Sequence, residues 1–427
     1  MRLGGRLEAA IEVLADIQDR HRPAADALRD WGLSHRFAGS GDRAAIGNIV
    51  YDALRRRRSA VWAFDSDMPR ALAFGALLLE WGETPESLAA ALEGDRFAPP
   101  PLSPVELSAF GARDLADAPD AVRADCPDWC VPLLERSFGA DWVEEGRGLA
   151  SRPPLDLRVN RLKSSRDKVL AELGGDAAPA PLVPNAIRIP PIQGAGRHPN
   201  VQAEPAFRKG WFEVQDLGSQ MAAMLAGAAP GSQVLDFCAG AGGKTLALSA
   251  AMDNTGQIFA HDSEKQRLAP IFERLQRAGC RNVQATANAA DLAPLAANTD
   301  LVLVDAPCTG SGTWRRRPDA KWRLSERQLG VRVAEQASIL DAAAEYVKPG
   351  GRLVYVTCSV FAEENALQTQ AFRERRPGFV PVDHLELWNA TFDAPPDIAA
   401  IDPAGGIGLS PHRTGTDGFY ISVMRRL

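Results

Sequence analysis

The sequence predicts an α/β protein whose C-terminal half is a doubly wound sheet, joined to an all-helical N-terminal region and a small α+β segment. Two observations predict the sheet. From Val214 onward, strand-length apolar runs alternate with helical stretches, as they do where helices cover both faces of a mostly parallel sheet. One run, Gln233 to Phe237, leads through Cys238-Ala239-Gly240-Ala241-Gly242-Gly243-Lys244-Thr245, a glycine-rich turn into a helix. A third observation sets the N-terminal region apart: its apolar residues recur with a helical period.

The elements follow in order. Leu7, Ile11, Leu14 and Ile17 share one face of a first helix. Asp42 reads as the N-cap of an amphipathic helix through Leu54, and Ala71 to Trp81 as a buried helix. Ala98-Pro99-Pro100-Pro101-Leu102-Ser103-Pro104 is a loop, with short helices after it to Leu149. These make a first expected domain, 1–148. Leu155 to Asn160 alternates as a strand and Ser165 to Leu173 reads as a helix. Proline-rich Ala177 to Pro191 reads as extended or looped chain, which completes a small domain at 149–212. The third expected domain, 213–427, holds strands Gln233 to Phe237, Gln257 to His261, Asn282 to Thr286, Leu301 to Val304, Arg352 to Thr357 and Gly418 to Met424. Between them lie helices Gln215 to Ala226, Lys244 to Ala251, Glu264 to Ala278, Ser325 to Val347 and Glu363 to Arg375.

Composition excludes several classes. The apolar runs are strand-length, so no membrane span is expected, and the N-terminus lacks the apolar core of a secretory signal. Six cysteines in 427 residues do not form a disulfide framework. Cys126 and Cys130 lack a second pair that would complete a zinc site, and the histidines show no metal spacing. A reduced, cytoplasmic, metal-free monomer is expected. The net charge of -6 argues weakly against a nucleic-acid partner, but Arg55 to Arg58, Arg315 to Arg317 and Arg373 with Arg375 and Arg376 are local basic clusters. The first and third read as solvated helix ends. The second follows a cysteine motif, which favours a functional reading.

The glycine-rich turn admits three ligands. A triphosphate-binding P-loop would need glycine at position 238, where Cys238 stands. A dinucleotide fingerprint G-x-G-x-x-G is not met. The remaining reading is S-adenosylmethionine, whose ribose hydroxyls call for an acidic residue at the end of the next strand. Asp262 stands there, 26 residues after Asp236, and the same residue can cap the helix that follows.

Two further strand ends carry thiols fifty residues apart, in Asp305-Ala306-Pro307-Cys308 and Thr357-Cys358-Ser359. Strand ends of a parallel sheet converge on one crevice, so both thiols and the glycine-rich turn face a common space. A cysteine is more often a small buried hydrophobe than a nucleophile. Pro307 and the hydroxyls of Thr357 and Ser359 shift the balance toward function. Each thiol follows a strand, so their order in a reaction stays open.

Taken together, these motifs resemble the Sun/Fmu-type RNA cytosine-5 methyltransferases. The resemblance rests on Asp236 to Thr245; on Asp305 to Cys308 with Thr309-Gly310-Ser311-Gly312; and on Arg317-Pro318-Asp319-Ala320-Lys321-Trp322. It continues through Thr357-Cys358-Ser359 with Glu363, Glu364 and Asn365, and through Asp417-Gly418-Phe419-Tyr420. It covers about residues 150–427. The helical N-terminus is similar, more faintly, to the antitermination factor NusB, through Asp42 to Leu54 followed by Arg55-Arg56-Arg57. Two departures stand out. The family loop usually reads C-A-A-P-G-G-K, where this chain has Gly240 and Ala241. The adenine-contacting position, usually acidic, falls at Asn288, with Asp291 three residues later.

The resemblance implies a class I S-adenosylmethionine-dependent methyltransferase core, a small RRM-like linker domain and a NusB-like RNA-binding domain. It implies that Cys358 attacks cytosine and that Cys308 helps release the product. Asp305 would contact the cytosine edge, and Lys244 would help Cys358 ionise. Cys238, Ala239, Gly240, Ala241, Gly242, Gly243, Lys244, Asp262, Asn288 and Asp305 would line the cofactor. Arg158, Asn160, Arg316, Arg317, Lys321 and Trp322 would face RNA, with small-subunit ribosomal RNA the expected substrate and transfer RNA the alternative. A non-catalytic RNA-binding assembly factor that keeps the fold is the rival from another class.

Overall fold

The computed structural model describes residues 1–427. The chain divides into two compact units. One comprises Met1–Pro153, Pro191–His198 and Thr313–Leu324; the other comprises Pro154–Pro190, Pro199–Gly312 and Ser325–Leu427.

The first unit is helical. Helices Leu3–Arg20, Ser40–Arg55 and Pro69–Glu80 bury Leu7, Leu14, Ile46, Ile49, Leu72, Phe74 and Leu77 in one core, the faces their helical periods present. The expected cap at Asp42 is corrected: Gly39 is the N-cap, and Asp42 accepts from the N-terminal amine and Arg6. The expectation that Arg55 to Arg58 form a solvated helix end is also corrected. Arg55 is buried on Asp52 and on the Arg315 carbonyl, Arg56 bridges Glu80 and Asp125, and Arg58 pairs with Asp128. Segment 313–324 belongs to this unit because its side chains pack there. Trp322 joins the helical core and donates from its indole to the Leu54 carbonyl, and Ala24 donates to Asp319.

The second unit contains two sheets. The smaller holds β1 (Leu155–Val159), β2 (Ala178–Pro179), β3 (Ala186–Ile189) and β4 (Phe212–Val214), in the antiparallel order β2-β3-β1-β4. Two of these strands lie in the proline-rich stretch that reads as extended or looped chain. Ala186-Ile187-Arg188-Ile189 carries no proline and pairs with β1 through its full length.

The larger sheet has nine strands: β5 (Gln233–Asp236), β6 (Gln257–His261), β7 (Val283–Thr286), β8 (Thr299–Asp305), β9 (Val347–Thr357), β10 (Phe379–Pro381), β11 (Ala400–Asp402), β12 (Gly406–Leu409) and β13 (Phe419–Arg426). Their order is β11-β12-β13-β9-β8-β5-β6-β7, with β10 on β13. Strands β5 to β9 are mutually parallel and β13 runs antiparallel to β9. Alternate residues serve two cores. Val234, Leu301, Leu303, Val354 and Val356 pack on one face; Leu235, Val302, Val304, Leu353 and Tyr355 pack on the other. Chain order reverses between β5 and β8, so the crevice at their carboxyl ends is a topological switch point. The helix expected over Glu264 to Ala278 is broken at Pro270 into Lys265–Leu268 and Ile271–Ala278.

Candidate active site

The glycine-rich turn joins β5 to helix Gly243–Ala251. Gly240 and Gly242 adopt φ of 50° and 81°, the left-handed region that glycine enters without strain. A Cβ on Gly242 would lie 2.4 Å from Ile271, so glycine is also required by the close approach of helix Ile271–Ala278. The turn is held from both sides. The Gly240 N–H donates to Asp262 Oδ2 at 3.0 Å, and Arg274 donates to the Ala241 carbonyl at 2.7 Å. Glu213 on β4 accepts from the same guanidinium. That clamp supplies order in a loop that lacks the family's proline.

Asp262 is buried at the end of β6 and also accepts from the Glu264 N–H at 3.0 Å through Oδ1. A carboxylate has about four acceptor sites, so each oxygen keeps one for a further donor. Asp236, at the end of β5, accepts from the Thr245 hydroxyl at 2.6 Å on Oδ2, while its buried Oδ1 has no partner. Burial pushes its acid up from 3.8 to about 7. Burial also pushes the Cys238 thiol up, and its side chain packs against the core beside Phe237, so Cys238 contributes backbone to the turn.

Lys244, the second residue of the helix, is buried and donates to Asp305 Oδ2 at 2.7 Å across the switch point. The ammonium lies 5.3 Å from the Phe419 ring centre. Lys244 was expected beside the Cys358 thiol; its hydrogen bond goes to the carboxylate at the end of β8.

The thiols lie at the ends of the adjacent strands β8 and β9, with Sγ atoms 3.4 Å apart. The Ala306 N–H donates to the Val356 carbonyl at 2.9 Å, and the Gly312 N–H to the Cys358 carbonyl at 3.0 Å. A Cβ on Gly312 would meet the Gly418 carbonyl oxygen at 2.1 Å, so the loop after Cys308 lies directly on the start of β13. The hydrogen bond to Cys358, then burial, push the Cys308 acid far above an ordinary thiol. Beneath the pair lies the fully buried Glu364, to which residues of both cysteine loops donate. Its sequence signal was the pair Glu363-Glu364 after the second cysteine motif; nothing in the sequence says which of the two turns inward.

The family described as 16S rRNA methyltransferase RsmB/F matches residues 223–425, which hold every residue of this site but Glu213. A second family, the ferredoxin-like domain of RsmF/B-like methyltransferases, matches residues 126–191. The chain belongs to the RsmB/F methyltransferase family. It is 37% identical over 254 residues to ribosomal RNA small subunit methyltransferase B of Photorhabdus laumondii, covering 58% of each chain. It is 35% identical over 306 residues to the protein of the same name from Erwinia tasmaniensis, covering 70% of this chain and 66% of that one. It therefore spans less than two thirds of the length of these relatives. The crystal structure of PH0851 superposes over all of both chains with a TM-score of 0.73 at 25% identity.

In this RsmB/F-family chain several residues expected at RNA are committed elsewhere. Lys321 is fully buried and donates to the Asp125 carbonyl, and burial lowers its acid from 10.5 to about 8. Trp322 is a partly buried core residue. Asn160 is buried and donates to the carbonyls of Gly210 and Ala278 at 2.9 and 2.7 Å, pinning the end of β1 to helix Ile271–Ala278. Arg158 is half-buried with its Nε enclosed. Burial and segment 313–324's place among the helices overturn the RNA-facing expectation for Lys321, Trp322 and Asn160. Arg316 is half-buried and Arg317 exposed. Asn288 is exposed after β7; its Oδ1 accepts from the Ala290 N–H at 3.2 Å and its Nδ2 donates to Asp291 at 3.0 Å.

Proposed function

We propose that this chain is an S-adenosylmethionine-dependent RNA cytosine-5 methyltransferase acting on small-subunit ribosomal RNA. The observation that carries the reading is the thiol pair, 3.4 Å apart after the ends of β8 and β9, with Asp305 of the Lys244–Asp305 pair closing β8 and the glycine-rich turn following the neighbouring strand β5. The family and the names of the relatives support ribosomal RNA as substrate.

The residues fit the cofactor. Asp262, with an acceptor site left on each oxygen, would take the ribose hydroxyls, and the backbone from Cys238 to Gly243 would border the amino-acid end. Asn288 would meet the adenine edge, and Asp305 would face the methionine part. When bound, the cofactor supplies an electrophilic methyl group for carbon 5 of cytosine.

The protein's part is to make carbon 5 nucleophilic. The Cys358 sulfur adds to carbon 6, and the ring's electron pair moves onto carbon 5. Asp305, fixed by Lys244, meets the ring edge at the nitrogen where charge and a proton accumulate during that addition. After transfer a base such as water takes the carbon-5 proton. That bond's electron pair re-forms the double bond between carbons 5 and 6, and the bond between carbon 6 and sulfur breaks with its pair going to sulfur. Cys308, held as a thiol, hydrogen-bonds the departing Cys358 sulfur and stabilises it as a thiolate. Arg317, and Arg316 beside it, are the proposed phosphate contacts.

The test is transfer of tritium from methyl-labelled cofactor to small-subunit RNA, followed by bisulfite sequencing. Label retained as 5-methylcytosine, and lost in Cys358→Ala, is the expected result. Label absent from cytosine, or equal in the variant, overturns the reading.

A further inference from the structure

The carboxylate of Glu364 is the meeting point of both cysteine loops. Oε1 accepts from the Thr309 backbone N–H at 2.8 Å and from Gln336 Nε2 at 2.9 Å. Oε2 accepts from the Thr309 hydroxyl at 2.5 Å and from the Ser359 hydroxyl. Thr309 directly follows Cys308 and Ser359 directly follows Cys358. We propose that Glu364 is a positioning residue that sets the separation of the two thiols. The proposal deepens the methyltransferase reading and takes its catalytic meaning from it.

Four donors occupy the roughly four acceptor sites of a carboxylate, so this buried side chain has no alternative arrangement of equal quality. The carboxylate fixes the chain one residue beyond each sulfur. Gln336 closes the other side of Cys308, since its amide also donates to the Pro307 carbonyl at 2.9 Å. Glu364 is itself anchored to β9, where the Tyr355 hydroxyl donates to its carbonyl at 2.7 Å. The strand that carries Cys358 therefore also locates the group that holds Cys308. The bonds are charge-assisted, which makes them short and directional. Loss of the charge lets two hydroxyls rotate away and frees both loops.

Glu364→Gln keeps the shape and removes the charge. The decisive measurement uses the full-length protein without RNA or cofactor. Diamide takes one hydrogen from each thiol, joins the sulfurs as a disulfide and is itself reduced to the hydrazine. Peptide mass spectrometry then follows the Cys308–Cys358 link with time. The variant is expected to close the link about tenfold more slowly than the native chain. In methyl transfer its kcat is expected to fall about 100-fold while KM for the cofactor stays within about twofold. Should Glu364→Gln fail to fold, Thr309→Val and Ser359→Ala each remove one donor and are each expected to slow closure. Closure at the native rate in the folded variants overturns the proposal, whatever happens to kcat. Should the native protein transfer no methyl group, the functional reading falls while the closure rates still decide the role of Glu364.

Discussion

The sulfur atoms of Cys308 and Cys358 lie 3.4 Å apart although fifty residues separate them in the chain. Parallel pairing of β8 with β9, Asp305 beside Val356, brings them together. Cys308→Ala removes the hydrogen bond proposed to stabilise the departing sulfur. We expect a covalent protein–RNA adduct that survives denaturing electrophoresis, and none from Cys358→Ala or the double variant. Free migration of Cys308→Ala after incubation with RNA and cofactor would refute its release role.

Asp262→Ala removes the proposed acceptor for the ribose hydroxyls and the bond to Gly240 N–H. Cofactor affinity should fall by about 10- to 100-fold, since two charge-assisted bonds of about 1.5–3 kcal/mol each are at stake and water replaces part of them. RNA affinity should be nearly unchanged. Isothermal titration with the cofactor, and filter binding with RNA, separate the two. Arg274→Met should weaken cofactor binding about tenfold by freeing the Ala241 carbonyl.

Asp236 gives the protein a pH-dependent stability. Its folded acid lies near 7 against 3.8 ordinarily, because burial disfavours the charged form. Between those values the native state holds a proton that the unfolded chain has released. Stability contributed by this group is therefore full at low pH and declines as pH rises toward 7. Asp236→Asn keeps an acceptor for Thr245 without that decline. Urea denaturation at pH 5 and pH 8 should show the variant gaining stability relative to the native protein at the higher pH. Parallel changes in both proteins would remove Asp236 as the cause.

Lys321 is a structural cation. Lys321→Ala should cost about 2–4 kcal/mol, through a cavity and an unsatisfied Asp125 carbonyl. Binding of a small-subunit RNA fragment, measured where both proteins are folded, should change less than twofold on the scale expected for a lost phosphate contact. A loss of RNA affinity without loss of melting temperature would restore the lysine to the RNA surface.

The central strands β8 and β9 were legible because they are buried on both faces and so read as near-continuous apolar runs. Leu301-Val302-Leu303-Val304 is an example, its residues divided between two cores. Ala400–Asp402 and Gly406–Leu409 were not legible: the first is three residues at the sheet edge and the second four residues with two glycines, so pairing rather than pattern defines them. The glycine-rich turn, Asp262 and both cysteine loops were readable because their chemistry is local. Glu364 was not, because its meaning lies in donors from three separate segments. Lys321 and Trp322 misled for the opposite reason. A lysine and an indole after a cysteine motif suit an RNA surface, and only the tertiary packing of residues 313–324 shows them turned into the helical core.

The excursion of residues 313–324 has an architectural result. The polypeptide leaves the second unit after Gly312, lends Trp314, Lys321 and Trp322 to the helical unit, and re-enters at Ser325. The helical unit is thus stitched from three stretches of sequence and cannot be excised by a single cut. A fragment starting at Pro154 would strand two indoles and a lysine in water, twelve residues of orphaned chain spliced between its two thiols.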